Sequence, residues 1–259
     1  MTVLLLHPGN MGAAVGADLV ARGHEVRCLL DGRSAETRAR AAAAGLTPAD
    51  DATGCDVVLS ICPPEAALAT AQSMAGFGGL YIDANAVSPG TAAAVADTVR
   101  GFGATYVDGG IVGPPPTRPG TTRLYLSGAE AGTAAMLFDG AVLDARVIEG
   151  AHEYGASALK MTYSAQNKIG IALLLAAHDT ATALGVGEAL LAEWHLSRPD
   201  LPEQLPSARQ SARTKGWRWT AEMHEIAQTF HTADEPTAFG EAAAEIYARY
   251  PRGGPPDVR

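Results

Sequence analysis

Short apolar runs alternate with Ala-rich stretches through the first 150 residues. The runs 2–6, 25–30, 57–61, 80–83, 105–108, 122–127 and 146–148 predict strands. The stretches 11–21, 35–44, 65–75, 89–100 and 129–139 predict helices. Strands that alternate with helices through short connections predict a mostly parallel sheet covered on both faces. Fewer helices separate the last strands, so antiparallel pairing is expected there.

The pattern changes near residue 150. From 157 to 184 there is no Pro and only Gly170, which predicts one long helix. At about 1.5 Å per residue it spans roughly 42 Å, a length that usually bridges two domains. The rest, to about residue 250, reads as helices broken at Pro199, Pro202, Pro206 and Pro236. The expected organisation is an α/β domain over 1–150, a helical domain over 151–250, and a frayed tail over 251–259. The segment 114–120 (PPPTRPG) reads as a stiff loop, and no internal repeat is present.

Composition narrows the classes. Apolar residues make up 47% of the 259 and charged residues 18%, which excludes wholesale disorder. Ala supplies 51 positions, so the core is expected to pack small side chains on close helices. A net charge of −9 without any basic run argues against nucleic acid as a partner. Cys28, Cys55 and Cys62 form no CxxC pair and read as buried thiols of a reducing compartment. The seven His lack metal-site spacing, so no metal is expected. The segment MTVLLL lacks a basic lead, and the longest apolar run, 169–177, is far short of a membrane span. The expectation is a cytoplasmic protein with no membrane partner. Only three Lys, at 160, 168 and 215, stand beside 16 Arg, which draws attention to their chemistry.

The first strand runs into His7-Pro8-Gly9-Asn10-Met11-Gly12 and then a helix. A phosphate-binding turn needs glycine where the backbone approaches a pyrophosphate and where the helix packs on the strand. Gly9 and Gly12 hold the second and third glycine positions, and His7 replaces the first. His7 precedes Pro8, so an extended conformation is expected for it. The helix beyond offers free N–H groups and a positive dipole end to a diphosphate. The second strand ends in Asp31-Gly32-Arg33-Ser34. An acid there holds a ribose 2′-hydroxyl and an Arg accommodates a 2′-phosphate, so Asp31 and Arg33 point in opposite directions. Arg33 followed by Ser34 at a helix start favours NADP, with NAD possible; the plainer role for Ser34 is to cap that helix.

These residues resemble the β-hydroxyacid dehydrogenase and 6-phosphogluconate dehydrogenase superfamily. Asn10-Met11-Gly12 matches the end of its Gly-x-Gly-x-Met-Gly motif, and Gly32-Arg33-Ser34 its Asn-Arg-Ser/Thr. The segment Ser60-Ile61-Cys62-Pro63-Pro64 is similar to its loop beside the nicotinamide-side ribose, and the segment from Asp83 through Asn85 to Pro89 to its next strand end. Residues 108–115 and 217–227 look typical of a branch with a phosphogluconate-dehydrogenase-like C-terminal domain. The resemblance implies a doubly wound Rossmann-type N-terminal domain, a long interdomain helix and an all-α C-terminal domain, often in a homodimer. It implies cofactor contacts from Gly9, Asn10, Met11, Gly12, Arg33, Ser34, Cys62, Pro63, Pro64 and Asn85.

Gly155 and Lys160 resemble the family's Gly-x-x-x-x-Lys motif, in which the Lys is general acid or base at the substrate oxygen. The chemistry is intelligible by itself, since hydride delivery builds charge on oxygen that a nearby ammonium stabilises and protonates. Tyr163, Ser164 and Asn167 share its helix face by i+3, i+4 and i+7 spacing. The family places Asn four residues after the Lys; here that position is Ser164, with Asn167 one turn further on. Two carboxylate-holding groups of hydroxyacid members are also replaced, a Ser by Val112 and a Lys by the segment bearing Glu222 and His224. Glu222 facing a pocket would disfavour an anionic substrate. The reading is an NAD(P)-dependent dehydrogenase or reductase, NADPH preferred, acting on a small carbonyl or hydroxy compound. The alternatives are an imine reductase-like enzyme and a non-catalytic dinucleotide-binding protein.

Overall fold

The computed structural model describes residues 1–253. Most of the tail expected to fray, residues 254–259, lies outside the described residues. Eight strands form one sheet: β1 (Thr2–Leu6), β2 (Glu25–Leu29), β3 (Thr47–Ala49), β4 (Val57–Ser60), β5 (Leu80–Asp83), β6 (Thr105–Val112), β7 (Arg123–Ser127) and β8 (Asp144–Val147). Their spatial order is β3-β2-β1-β4-β5-β6-β7-β8. Every pairing is parallel except β6–β7, where the sparse helices had suggested antiparallel pairing.

The central strands β1, β2, β4, β5 and β6 are covered on both faces and feed an apolar cluster on each, whereas β7 and β8 feed only one. Val3 and Leu5 of β1 pack in one apolar cluster while Leu4 and Leu6 pack in the other. The first cluster is closed by α1 (Asn10–Ala21), α2 (Ala35–Ala43) and α5 (Ala131–Met136). The second is closed by α3 (Ala67–Gln72) and α4 (Pro89–Gly101). Two-sided burial explains why β1 and β4 read as continuous apolar runs rather than alternating ones.

Several local expectations differ from the structure, among them β6, which runs on to Val112, and the helix expected over 129–139, which spans only Ala131–Met136. β3 escapes the sequence pattern because it is a three-residue edge strand containing Pro48, a residue tolerated only at such an edge. The helix expected over 65–75 is shorter, a 3₁₀ turn at Pro64–Ala66 followed by α3.

The chain divides into two units, the first Met1–Lys160 and the second beginning at Met161. The second unit contains most of α6 (Gly155–Ala183), then α7 (Gly187–Ser197), α8 (Asp200–Thr232) and α9 (Ala238–Ala248). The breaks expected at Pro202 and Pro206 do not occur, because α8 runs through both. Pro202 lies in the first turn, where its missing N–H would have had no acceptor. Pro206 lies one turn deeper and leaves the Pro202 carbonyl without its helical donor, a local cost outweighed by the packing of Leu205 and Ala208. Breaks do fall at Pro199, before α8, and at Pro236, before α9.

Candidate active site

The strand order reverses between β1 and β4, so their C-terminal ends diverge into the crevice where open α/β sheets bind ligands. The turn after β1 is held by a hydrogen bond from the Gly9 N–H to the His7 carbonyl across Pro8, at 2.7 Å. His7 is not extended. Its φ of 65° lies in the left-handed region. A turn this tight needs one residue there, and that demand overrides the local preference imposed by Pro8. Histidine is among the few non-glycine types enriched in this region, at a cost of about 1–3 kcal/mol. His7 thus does the backbone work of the missing first glycine. Gly12 is required for a different reason: a methyl group on it would stand 2.5 Å from the His7 carbonyl oxygen.

Gly9 caps α1 without a side-chain hydrogen bond, and the first turn carries no acidic residue. The N–H groups that open α1 are therefore available to an anion. Asn10 is exposed in this first turn, while Met11 is partly buried and packs against the core.

Beside the turn lies a cavity of about 230 Å³ lined by His7, Arg33, Leu29, Ala66, Thr70 and Ser73, among others. His7 and Arg33, which both line it, each carry a buried nitrogen without a hydrogen-bond partner, Nδ1 and Nε respectively. Burial, and after it the Arg33 guanidinium, pushes the His7 imidazole down to about 4. Ser34 caps α2 by accepting from the Thr37 N–H, the plainer of its two expected roles. Arg33 stays uncommitted at Nε, as a ligand-binding guanidinium would.

At the end of β4, Cys62 donates its N–H to Oδ1 of Asn85 at 2.6 Å. The Asn85 Nδ2 donates to the Ser60 hydroxyl at 3.0 Å. Asn85 is thus a brace between the ends of β4 and β5, with both amide atoms engaged by the protein. Burial pushes the Cys62 thiol up to about 11, so it is no nucleophile at neutral pH. Pro63 is exposed, and Pro64 opens the 3₁₀ turn.

Lys160 is positioned by residues that sequence reasoning did not place in the site. The Asp108 carboxylate, buried at the register partner of Asp83, accepts the Ser157 hydroxyl at 2.6 Å and the Ser157 N–H at 2.8 Å. The Ser127 hydroxyl accepts the Ala156 N–H at 2.9 Å and lies 3.1 Å from Asp108. These groups satisfy the orphan donors at the start of α6 and anchor it to the sheet. One helical turn on, Lys160 is half-buried against Gly110. Burial, and after it the neighbouring Asp108, pushes Asp83 up to about 7. Burial pushes Asp108 up to about 6 against the opposing hydrogen bonds from Ser157 and Ser127. The signal that could have found this anchor was a Ser just inside a helix start, paired with the acid of 108–115.

In the second unit, Ser164 is buried and Tyr163 is half exposed. Asn167 is exposed, and its Nδ2 donates to the Tyr163 carbonyl at 2.9 Å. Glu222 does not act as an isolated acid. It forms a buried ion pair with Lys168, whose ammonium lies 5.4 Å from the Trp219 ring centre. The pairing removes the basis for expecting Glu222 to repel an anion. Among the described residues no group of His, Cys, Asp and Glu is arranged to hold a metal ion. None of their helices is long and apolar enough to cross a membrane.

The mostly parallel eight-stranded sheet with long helices and a helical C-terminal region is the 3-hydroxyacid dehydrogenase fold. The chain is similar to the conserved protein MTH1747, whose structure shows similarity to 3-hydroxyacid dehydrogenases: 27% identity, TM-score 0.73, 96% of each chain covered. It is similar to the 3-hydroxyisobutyrate dehydrogenase of Mycobacterium tuberculosis at 20% identity and TM-score 0.71, over 96% of this chain and 93% of that one. It is similar in fold to an imine reductase variant from Myxococcus stipitatus in complex with NAD+, at 17% identity and TM-score 0.59, over 95% and 92% of the two chains. Residues 181–250 match the Domain of unknown function (DUF1932). No curated protein sequence matches the chain. The structural likenesses and the C-terminal match are consistent with the β-hydroxyacid dehydrogenase superfamily.

Proposed function

We propose that the chain is an NAD(P)-dependent oxidoreductase that prefers NADPH and moves hydride to or from a small carbonyl or hydroxy compound. The observation that carries this reading is the cavity beside the first turn, where His7 and Arg33 present buried nitrogens without partners next to an uncapped helix start. A dinucleotide fits those groups: the opening N–H groups of α1 would hold its pyrophosphate, and Arg33 a 2′-phosphate. Residues 1–150 hold the cofactor in this reading, and 151–250 supply the substrate and subunit surfaces. When bound, a nicotinamide gives or takes the hydride. The Lys160 ammonium stabilises charge at the substrate oxygen and exchanges a proton with it. The Asp108–Ser157 anchor keeps Lys160 at one place on the sheet. Ser164 and Asn167 follow on the same helix face as candidates for orienting the substrate.

A second reading, reduction of a C=N centre, is favoured by Val112. It stands where hydroxyacid members carry a carboxylate-holding Ser, and it is 3% exposed and without a hydroxyl. A site lacking that donor desolvates a carboxylate without a partner, which favours less anionic substrates. Fluorescence titration with NADPH and NADH, followed by steady-state assays on 3-hydroxy acids, uncharged ketones and cyclic imines, tests both readings. Tight cofactor binding without turnover of any member would transfer the chain to a non-catalytic dinucleotide-binding role.

A further inference from the structure

His7 occupies a position where a dinucleotide-binding turn ordinarily carries no side chain at all. A glycine would serve the backbone at φ 65° without strain, so the imidazole is an addition to the turn rather than a requirement of it. That imidazole shares the 230 Å³ cavity with Arg33, and its Nδ1 is buried without a hydrogen-bond partner. Leaving such a nitrogen unsatisfied is costly, and a native protein tolerates it where a ligand completes the pairing. The adjoining Arg33 Nε is in the same condition. Two side chains that line one cavity, each with an unpartnered nitrogen, fit an anionic oxygen cluster better than a neutral hydroxyl.

We propose that His7 and Arg33 together form a clasp for the 2′-phosphate of NADPH, with the imidazole as a second, protonatable ligand that NADH does not engage. The inference rests on the cofactor reading above and assigns a residue and a linkage that the reading leaves open. The bound dianion supplies the counter-charge that the cavity lacks, so the imidazole takes up a proton from solvent as the phosphate binds. Among the described residues lining this cavity, Arg33, from the segment after β2, is the only charged or titratable neighbour of His7, and α3 contributes Ala69 and Thr70. On the other side of the turn, Arg40 of α2 reaches the Pro8 carbonyl at 3.5 Å. Arg40 is itself paired with Glu36, which leaves the Arg33 guanidinium as the charge that bears on His7. Without an anion, burial and after it the Arg33 guanidinium hold the imidazole neutral, and a bound phosphate opposes both.

The test uses the full chain with NADP+, NAD+, 2′,5′-ADP and 5′-AMP as probes. Histidine proton resonances are followed from pH 5 to 8, and the His7 signal is assigned by its loss in His7→Asn. Binding is measured in parallel by calorimetry. NADP+ and 2′,5′-ADP are expected to move the His7 midpoint upward, while NAD+ and 5′-AMP leave it low. His7→Asn and His7→Gly are expected to lower NADP+ affinity about tenfold at pH 6 and to change NAD+ affinity less than about twofold. Both residues accept positive φ, so the turn survives in each variant. The phosphate's own ionisation near pH 6 is common to wild type and variants, so their difference reports His7. Variants that bind NADP+ as tightly as the wild type, or a His7 midpoint unmoved by NADP+, would overturn the clasp while leaving the cofactor reading intact. Equal wild-type affinity for NADP+ and NAD+ would overturn the clasp together with the NADPH preference, and leave only the binding of a nicotinamide dinucleotide. A wild type that binds none of the four probes would overturn the cofactor reading and the clasp with it.

Discussion

A methyl group on Gly110 would stand 2.9 Å from the Cβ of Lys160 and 2.7 Å from the Ala156 carbonyl oxygen. The first turn of α6 therefore rests directly on the β6 backbone, and the absence of a side chain at 110 sets where Lys160 begins. Asp108, two residues earlier on the same strand, anchors Ser157 on the same turn. Strand β6 thus fixes both the height and the distance of the helix start, and Lys160 follows from that geometry.

Gly110→Ala forces α6 away from the strand, because the nearest atom is backbone rather than a pliable side chain. Overpacking of this kind costs about 1–3 kcal/mol, and a displacement near 1 Å at a reacting group costs on the order of 10²-fold in rate. We expect a lower melting temperature and a kcat reduced by about 10- to 100-fold, with NADPH affinity unchanged because the turn at His7 is separate. Melting curves and steady-state kinetics check this. Wild-type turnover in Gly110→Ala would show that Lys160 does not need the close approach.

Lys160→Ala leaves the cavity at His7 intact and removes the ammonium proposed above to carry the proton. Turnover is expected to fall by about 10²–10⁴, the usual share of a general acid–base group. Cofactor affinity, read by fluorescence, is expected to hold. Activity within a few-fold of wild type would exclude Lys160 from the reaction.

Arg33→Ala addresses coenzyme choice. A charge-assisted hydrogen bond contributes about 1.5–3 kcal/mol, so the wild type is expected to favour NADPH over NADH by about 10- to 100-fold. The variant is expected to lose most of that preference. Equal wild-type affinities would assign the ribose to Asp31 instead.

The strand and helix pattern made the sheet legible because two-sided burial and Ala-rich helices leave long, regular signals. β1, β5 and the first turn of α4 lie where the periodicity puts them. The misreadings share a cause: local propensity was opposed by a tertiary demand. His7 yields to the turn, Pro202 and Pro206 yield to the packing of α8, and β3 exists only because β2 offers it an edge. The candidate site could be proposed from sequence where it is continuous, in the turn from His7 to Gly12 and at the start of α6 from Gly155 to Lys160. The anchor of Lys160 was not, because it joins Asp108 to Ser157 across 49 positions. Nor could the sequence show that Asn85 braces the ends of β4 and β5 or that Glu222 is paired with Lys168.

The neighbouring acids Asp83 and Asp108 give the fold a pH signature. Each has a folded pKa above its ordinary value of 3.8, at about 7 and about 6. The native state therefore binds protons more readily than the unfolded chain, so this contribution to stability is complete below about pH 4 and is lost as pH rises through 6 and 7. Asp83→Asn mimics the protonated acid and keeps an oxygen to accept from the Asn85 N–H. The wild-type melting temperature is expected to fall between pH 5 and 8, and the variant to fall less. Parallel pH curves for the two proteins would remove Asp83 as a source of the dependence.

The second unit leaves apolar surface that one copy of the chain does not cover. α7 carries Leu190, Leu191 and Trp194, yet it has no buried residue. Leu196 is 83% exposed, Leu184 73% and Leu173 68%, so α6, α7 and the connection between them all present large aliphatic groups to solvent. Isolated exposed leucines are ordinary, but a helix with three half-buried large groups and none buried is incomplete as a folding unit. A second copy would meet this need through a two-fold interface, because identical apolar faces can pack on one another about such an axis. Light scattering at micromolar concentration is expected to give twice the chain mass of 26.6 kDa. Leu173→Glu combined with Leu196→Glu alters only side chains exposed in the single copy, so each chain keeps its fold while the interface acquires buried, unpaired carboxylates. That variant is expected to scatter as a 26.6 kDa particle with an unchanged circular dichroism spectrum. A wild type that already scatters as one chain would show that these leucines face water in the working protein.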